Sequence, residues 1–268
     1  MAGRPSTRTA STSRQPKTQA FSDKWDLTHL VKNPVRQLDA LLAELEAKVV
    51  QIEAARPGLS PAMPNQDLLA LLRCSEAIAQ GSSRLGAFAY LWFSENTKDD
   101  AARSFKTQVE ERLTALSNRL LFFELWWQSV DDTNAARLMA DAGDLRYHLE
   151  TIRRFKPHTL SEPEEKIVNL KNVTGRSAIH TLYDIVTNGF TFTLTVGGKK
   201  KTMSREELTA YVRSQKASVR QAAYQELYRV FSGQRDLLGE IYKTLVNDWK
   251  SEHLGLRHFG SPIATRNL

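Results

Sequence analysis

The stretch that decides the fold reads RRFKPHTLSEPEEKIV and covers residues 153–168. Its first basic residues suit the C-terminal end of a helix, where the helix dipole is negative, and Pro157 cannot continue that helix. Ser161 is a good N-cap for a following helix, with Glu164 three residues later as in a capping box. The stretch therefore predicts a helix end, a short loop and a new helix. By periodicity alone it is an ordinary connection between two helices.

Apolar residues spaced by three and four predict helices on the N-terminal side of this loop. The predicted helices run from Asn33-Pro34 to Pro57-Gly58, from Asn65 or Gln66 through Trp92, from Thr97 to Val130, from Asp131-Asp132 to a stop at Gly143, and through Leu145, Leu149 and Ile152. The aromatic end of the third helix (Phe122, Phe123, Trp126 and Trp127) could be a ligand platform, but such a helix end is typical of a core.

On the C-terminal side, Gly175 is expected to separate two helices, the second of which ends at Asn188-Gly189. Two further capping boxes are predicted, Ser204 with Glu207 and Ser218 with Gln221. The helix after the second box is expected to continue without a break to about Leu254. One last helical turn is expected after Gly260-Ser261-Pro262.

Between these helices, Phe190, Phe192, Leu194 and Val196 alternate with threonines, and Gly197-Gly198 follows. A period of two followed by a glycine pair predicts a β-hairpin near 190–203. The run Lys199–Lys201 then protects an edge strand. The sequence as a whole predicts a mainly α protein, a multi-helix bundle with one short β-hairpin.

Composition narrows the class of protein. The chain has 268 residues, is 41% hydrophobic and contains one cysteine, Cys74. No stretch approaches ~18 uninterrupted apolar residues, so no transmembrane helix is predicted. One cysteine excludes an intramolecular disulfide and a cysteine-rich metal site, and Cys74 fits a helix core better than a site. These features indicate a cytoplasmic location.

The net charge of +7 is unevenly placed, because residues 1–20 carry Arg4, Arg8, Arg14 and Lys17 and no acid. This segment cannot bury a core, so a disordered basic tail is predicted at 1–20. It lacks the apolar region of a secretory signal and the amphipathic stripe of an organelle transit peptide. No aromatic residue is interleaved with its charges and no base-reading motif follows, so neither specific nucleic-acid binding nor membrane binding is predicted.

Residues 153–168 closely resemble the R-x-x-K-P-H-x-L-S-E-P-E-E-K-I junction of oligoendopeptidase F-type zinc metallopeptidases. Other stretches resemble the same family in the same order across roughly residues 21–268. These are Trp25–Leu30, Leu121–Trp126, Gly143–Tyr147, Ser204–Leu208, Val219–Tyr224 and Leu256–Phe259 with Ser261-Pro262. The resemblance implies a mostly helical, two-lobed zinc endopeptidase that cleaves short oligopeptides in an enclosed channel.

The chain departs from that family in one respect, because the zinc motif His-Glu-x-x-His is absent from its 268 residues. The motif places two imidazoles on one helix face to hold zinc, with the glutamate activating water. His253 and His258 are five residues apart, about 140° around a helix, and are poor joint ligands. All six histidines (His29, His148, His158, His180, His253 and His258) are expected at the surface or at helix ends. No catalytic, cofactor-binding or metal residue is assigned.

In the family the zinc motif lies further towards the C-terminus than Leu268. The resemblance therefore implies the N-terminal half of such an enzyme, a truncated chain or gene fragment that is inactive and binds no zinc by itself. The expected division is a tail at 1–20, an N-terminal helical domain at 21–155 and the start of the catalytic region at 156–268. The full-length enzyme would use zinc and short peptides, and this chain's partner would be the missing catalytic half. The alternative is a non-catalytic helical scaffold or binding module whose basic tail engages an acidic partner.

Overall fold

The computed structural model describes residues 24–268. The predicted tail at 1–20 and the predicted start of the folded part at Phe21 lie outside the described residues. Two strands, β1 (Phe192–Val196) and β2 (Lys199–Met203), form the one sheet within that range. The helices are α1 (Pro34–Ala55), α2 (Asn65–Glu95), α3 (Asp100–Ser129), α4 (Asp132–Met139), α5 (Arg146–Arg154), α6 (Glu162–Asn172), α7 (Ala178–Asn188), α8 (Arg205–Val212), α9 (Ala217–Ser232), α10 (Arg235–Trp249) and α11 (Ala264–Asn267). The predicted mainly α fold with one hairpin is confirmed.

The first three helices pack on one another, α4 packs against α2, and α5 and α6 pack against α3. The apolar face of α1 forms part of a large core, which also contains residues of α2 to α5, among them Leu149. Gly81 of α2 allows the close approach of α1, since a Cβ atom there would stand 2.7 Å from Cδ2 of Leu45. Phe122, Phe123 and Trp127 are buried in the same core, as predicted. None of the helices in residues 24–268 has the length and apolar character of a membrane-spanning segment.

The hairpin lies where the alternating pattern predicts it. Its antiparallel register pairs Phe192 with Met203 and Val196 with Lys199. Gly197 and Gly198 have φ of 59° and 76°, the left-handed conformation that a tight two-residue turn requires. The buried face of β1 packs on α8 and α9 and forms a second, smaller core with Leu208 and Ala223. Lys199–Lys201 are exposed on β2, in agreement with the predicted protected edge.

Gly175 does not separate two helices. It lies inside a π-helical turn, Val173–Ser177, which joins α6 directly to α7. A single glycine costs roughly 1 kcal/mol in a helix relative to alanine, which is too little to end a helix that packs well. The chain instead accommodates Gly175 within a π-bulge, in which one additional residue is included in the helical turn.

The expectation of one helix from Val219 to about Leu254 is also wrong. The helix ends at Ser232, Gly233 caps it by donating to the carbonyls of Arg229, Val230 and Phe231, and α10 begins at Arg235. The apolar spacing continues across the break, which is why periodicity does not reveal it. After Trp249 the helix widens into a π-helical segment, Lys250–Leu256.

Two predicted helix starts are misplaced. Helix α3 begins at Asp100 rather than Thr97, because the side chain of Asp99 caps it by accepting from two backbone N–H groups. Ser218 is not an N-cap either, since α9 begins at Ala217 with Lys216 before it. The Arg220 guanidinium instead donates to the carbonyls of Ser214 and Gln215 at 2.8 and 3.0 Å and holds the preceding turn.

Candidate functional site

The loop between α5 and α6 forms as the sequence predicts. Pro157 lies in a short 3-10 turn, Lys156–His158, and α6 starts immediately after Ser161. The Ser161 backbone N–H donates to the Glu164 carboxylate at 2.9 Å, and the Ser161 side chain completes the capping box. The loop and the cap set the direction in which the first turn of α6 points.

That first turn carries Glu165, which points into the protein. Arg257, from the C-terminal region, binds its carboxylate with both terminal nitrogens, at 2.7 and 2.9 Å. The Arg257 Nε atom donates to Glu252 at 2.9 Å. Arg257 and Glu165 are 6% and 8% exposed, so this is a buried ion-pair network. We call His158, Glu165, Glu252, Arg257 and Phe259 together the anchor cluster.

Two opposing effects act on the pKa of Glu165. Burial raises the pKa. The hydrogen bonds from Arg257 and from the backbone N–H of Leu160 lower it by a larger amount, so the net shift is downward. Hydrogen bonding to Glu165 likewise raises the pKa of Arg257, against the opposite effect of burial. Both groups are therefore held in their charged forms inside the protein.

His158 links the loop after α5 to the segment that contains Arg257. Its Nδ1 lies 2.7 Å from the Arg257 carbonyl oxygen, and Arg257 in turn lies 3.3 Å from the His158 carbonyl. The imidazole stacks on the Phe259 ring with centroids 3.6 Å apart and planes 16° apart. Phe155 closes the stack edge-on at 5.5 Å from Phe259. The cluster thus clamps the loop after α5 to the segment after α10.

The backbone at His258 makes this clamp possible. His258 has a φ of 55°, in the left-handed region that non-glycine residues seldom adopt. The turn brings the Phe259 N–H back to the His253 carbonyl at 2.9 Å. Arg257 and Phe259 are both buried as a result, while His258 between them is exposed.

His253 occupies the π-helical segment beneath this turn. It is buried, and neither ring nitrogen has a hydrogen-bond partner among the described residues. Its ring lies 4.1 Å from Trp249. Burial lowers the pKa of His253, and Arg257 and Arg176 lower it further, against the opposite effects of Glu252 and Asp248. The imidazole is therefore held neutral.

The histidines do not converge on a metal site. Within residues 24–268, no group of three or more His, Cys, Asp or Glu side chains is placed to hold a metal ion. His29, His148, His180 and His258 are exposed, as predicted. The prediction is wrong for His253, whose position follows from the π-helical widening that turns it inward. His158 is half-buried in the anchor cluster rather than free at a helix end.

The chemistry of the anchor cluster is that of a positioning element. Glu165 and Glu252 both pair with Arg257, so its guanidinium is not free to stabilise a reacting group. The sequence motifs include the neighbourhoods of Glu165 and Arg257, but no local pattern indicates that these two side chains form an ion pair. Glu165 looks like one more first-turn carboxylate favoured by the helix dipole. Only the fold shows that it is instead the partner of a guanidinium 92 residues away.

Comparison with solved structures defines the class of fold. The crystal structure of oligoendopeptidase-F from Enterococcus faecium matches with a TM-score of 0.71 and 16% identity, and the match covers 86% of this chain and 46% of that one. A putative peptidase from Chlamydophila abortus matches with a TM-score of 0.53 and 17% identity, covering 92% of this chain and 42% of that one. The chain therefore has the helical fold of part of these structures, and it spans less than half the length of either.

The sequence itself carries a family signature. Residues 126–192 match the family model of Oligopeptidase F, which describes the N-terminal region of M3 peptidases. No curated protein matches the chain. The matched range contains the loop after α5, Glu165 and the π-helical turn, while Arg257 lies outside it. The resemblance to the N-terminal part of oligopeptidase F is thereby confirmed, by this segment and by the fold.

Proposed function

We propose that residues 24–268 form the helical, channel-lining lobe of a zinc-dependent oligoendopeptidase. The lobe would be inactive by itself, and a further segment carrying His-Glu-x-x-His would supply the zinc and the catalytic glutamate. The carrying observation is the fold match, which covers 86% of this chain but 46% of the oligoendopeptidase-F chain. The substrates of the assembled enzyme would be short peptides.

The surface of the C-terminal half supports a partner of this kind. Ile167, Leu170, Leu182, Tyr228 and Tyr242 are each half or more exposed, on α6, α7, α9 and α10. Burial of apolar surface contributes roughly 25 cal/mol per Å². A catalytic segment that covered these helices would gain free energy of association from them.

The anchor cluster has a role within this proposal. It fastens the end of α10 to the loop at 153–168, and so sets the direction in which the chain leaves Phe259. A catalytic segment placed after α11 would start from this clamped position. Residues 21–155 would then be a domain by themselves, and residues 156–268 would belong to the catalytic region. Location in the cytoplasm is part of the same proposal, on the basis of the single cysteine, and cell fractionation tests it.

The proposal predicts that the 268-residue chain neither hydrolyses peptides nor retains zinc. A catalytic zinc needs about three protein ligands, and residues 24–268 offer no such group. The measurement is cleavage of an internally quenched peptide, together with zinc content after dialysis against a mild chelator. Stoichiometric zinc together with cleavage would contradict the proposal.

A reconstitution experiment tests the positive half of the proposal. The DNA downstream of codon 268 should contain an open frame that encodes His-Glu-x-x-His. Its product, co-expressed with this chain, should copurify with it and restore cleavage. The matched control carries glutamine in place of the motif glutamate, and it should copurify without activity. A stop codon shared by close relatives would favour the scaffold alternative instead.

A further inference from the structure

A cleft opens between α2, α3 and α5, and no residue of α6 to α11 lines it. Its volume is about 770 Å³, within the range of roughly 300–1,000 Å³ that small-molecule sites occupy. The floor is apolar and is formed by buried side chains that include Leu72, Leu116, Phe123, Trp127 and Leu149. A ligand there would bury an apolar body against leucine and aromatic side chains.

One carboxylate at this cleft lacks a partner. Glu124 of α3 lines it and has no hydrogen bond or salt bridge within residues 24–268. The residue is exposed at the mouth, yet desolvation by the walls raises the pKa of its carboxyl group. The charge of Glu165 raises the pKa further, and His148 of α5 opposes both effects. A cation placed beside Glu124 would relieve this unfavourable environment.

The other polar groups of the cleft fit a small ligand. Glu76 is already paired with Arg73 at 2.8 Å, so Glu124 is the lining carboxylate without a salt bridge in the described part of the chain. Ser75 and Ser82 on α2 and Ser117 on α3 line the cleft, and their hydroxyls are without hydrogen-bond partners in the described part of the chain. All three walls are helical, so their backbone groups are largely used within the helices. An extended peptide, which binds through backbone pairing, would find few partners here.

We propose that this cleft binds a small amphipathic amine, with its apolar body on the Phe123–Trp127 floor and its ammonium group paired with Glu124. The site is separate from the anchor cluster, and it does not depend on the proposed peptidase function. Neither ligand binding nor a role for Glu124 follows from the comparisons with known proteins.

The test uses isothermal titration calorimetry on the full 268-residue chain, with n-octylamine and n-octanol as a matched pair of probes. Octylamine should bind at least about tenfold more tightly than octanol, because a charged hydrogen bond is stronger than a neutral one. In Glu124→Gln this preference should fall to about twofold or less, with octanol binding unchanged. In the control Glu111→Gln, on the same helix but outside the cleft, the preference should remain.

A second variant tests the location. Leu120→Trp should fill the cleft and lower the affinity for both probes by about tenfold or more, with an unchanged circular dichroism spectrum. Equal affinity for the two probes, no detectable binding of either, or an unchanged preference in Glu124→Gln would overturn the proposal. So would a change of oligomeric state in Leu120→Trp, measured by sedimentation, because it would assign the cleft to a second copy of the chain.

Discussion

Arg257 is the residue on which the C-terminal region depends most at the scale of single side chains. It is buried between two carboxylates, and it reaches across 92 residues to Glu165. Two buried charges that neutralise each other add little net stability, because desolvation offsets most of their attraction. Removing one of them is costly, since the other is left buried and unpaired. The pair therefore acts as a constraint on which segments meet.

Replacement of Arg257 by methionine should lower the free energy of unfolding by about 3–5 kcal/mol, since Glu165 and Glu252 lose their counter-charge. Urea denaturation followed by far-UV circular dichroism measures the effect. The matched control is Arg235→Met, whose pair with Asp236 is almost fully exposed and should contribute at most about 1 kcal/mol.

A second change separates charge from packing at this site. Adding Glu165→Leu to Arg257→Met should recover part of the loss, because one of the uncompensated carboxylates is removed. A loss below about 1 kcal/mol in Arg257→Met would mean that the ion pair is solvated in solution and does not fasten the two segments.

His253 should make the stability of the chain depend on pH. Its pKa in the folded chain is lowered from the ordinary 6.5. The unfolded chain therefore takes up a proton at a higher pH than the folded chain, and this favours unfolding in acid. The free energy of unfolding should fall as the pH decreases below 6.5, towards the lower pKa of the folded state.

The variant His253→Phe should lose most of that dependence. At neutral pH the substitution should lower the free energy of unfolding by less than about 1.5 kcal/mol. The His253 ring packs against Trp249 and makes no hydrogen bond that phenylalanine would lose. Urea midpoints near pH 7.5 and near pH 5.5 measure the difference. His29→Gln, at an exposed position, is the control and should retain the wild-type pH dependence. Equal dependence in His253→Phe would show that the buried imidazole is not its source.

Helix boundaries set the geometry at the scale of secondary-structure elements. The capping boxes at Ser161 and Ser204 start α6 and α8 where the sequence predicts them. At α9 a serine with the same spacing lies within the first turn, because Arg220 binds the carbonyls that precede it. A cap motif therefore needs its serine to stand just outside the helix, and neighbouring hydrogen bonds decide whether it does.

This difference predicts unequal effects of the same substitution. Ser204→Ala should lower the free energy of unfolding by about 1 kcal/mol, the typical contribution of an N-cap. Ser218→Ala should change it by less than about 0.5 kcal/mol, because its hydroxyl caps nothing. Thermal melts of the two variants measured side by side provide the comparison. Equal losses would mean that Ser218 also acts as a cap in solution.

The two apolar cores differ greatly in size at the scale of the whole molecule. The core of α1 to α5 buries twenty-six residues of the described range, whereas the core beneath the hairpin buries five. Tyr224 and Tyr228 on α9 and Leu237 and Tyr242 on α10 are about half or more exposed. Because stability follows buried apolar area, the C-terminal region should open more readily than the N-terminal bundle.

Limited proteolysis tests this gradient. We expect residues 1–20 to be removed first, followed by cuts beyond Ser218, with a resistant core that contains the helices between Trp25 and Phe155. Fragments identified by mass spectrometry over a time course give the order of cleavage. If residues 218–268 resist as long as that core in a monomeric protein, the chain does not need a further segment for its stability.

The sequence by itself determined the helical class, the hairpin at its observed place and the capped loop at 153–168. These features depend on residues a few positions apart, and spacing of three, four or two residues records them directly. Tertiary structure alone decided that Glu165 meets Arg257, that His253 is buried in a π-helical segment, and that Glu124 lies unpaired at a cleft. The break at Gly233 was also hidden, since the apolar spacing continues through it. Contacts between distant segments depend on how whole helices pack, and no local pattern encodes that packing.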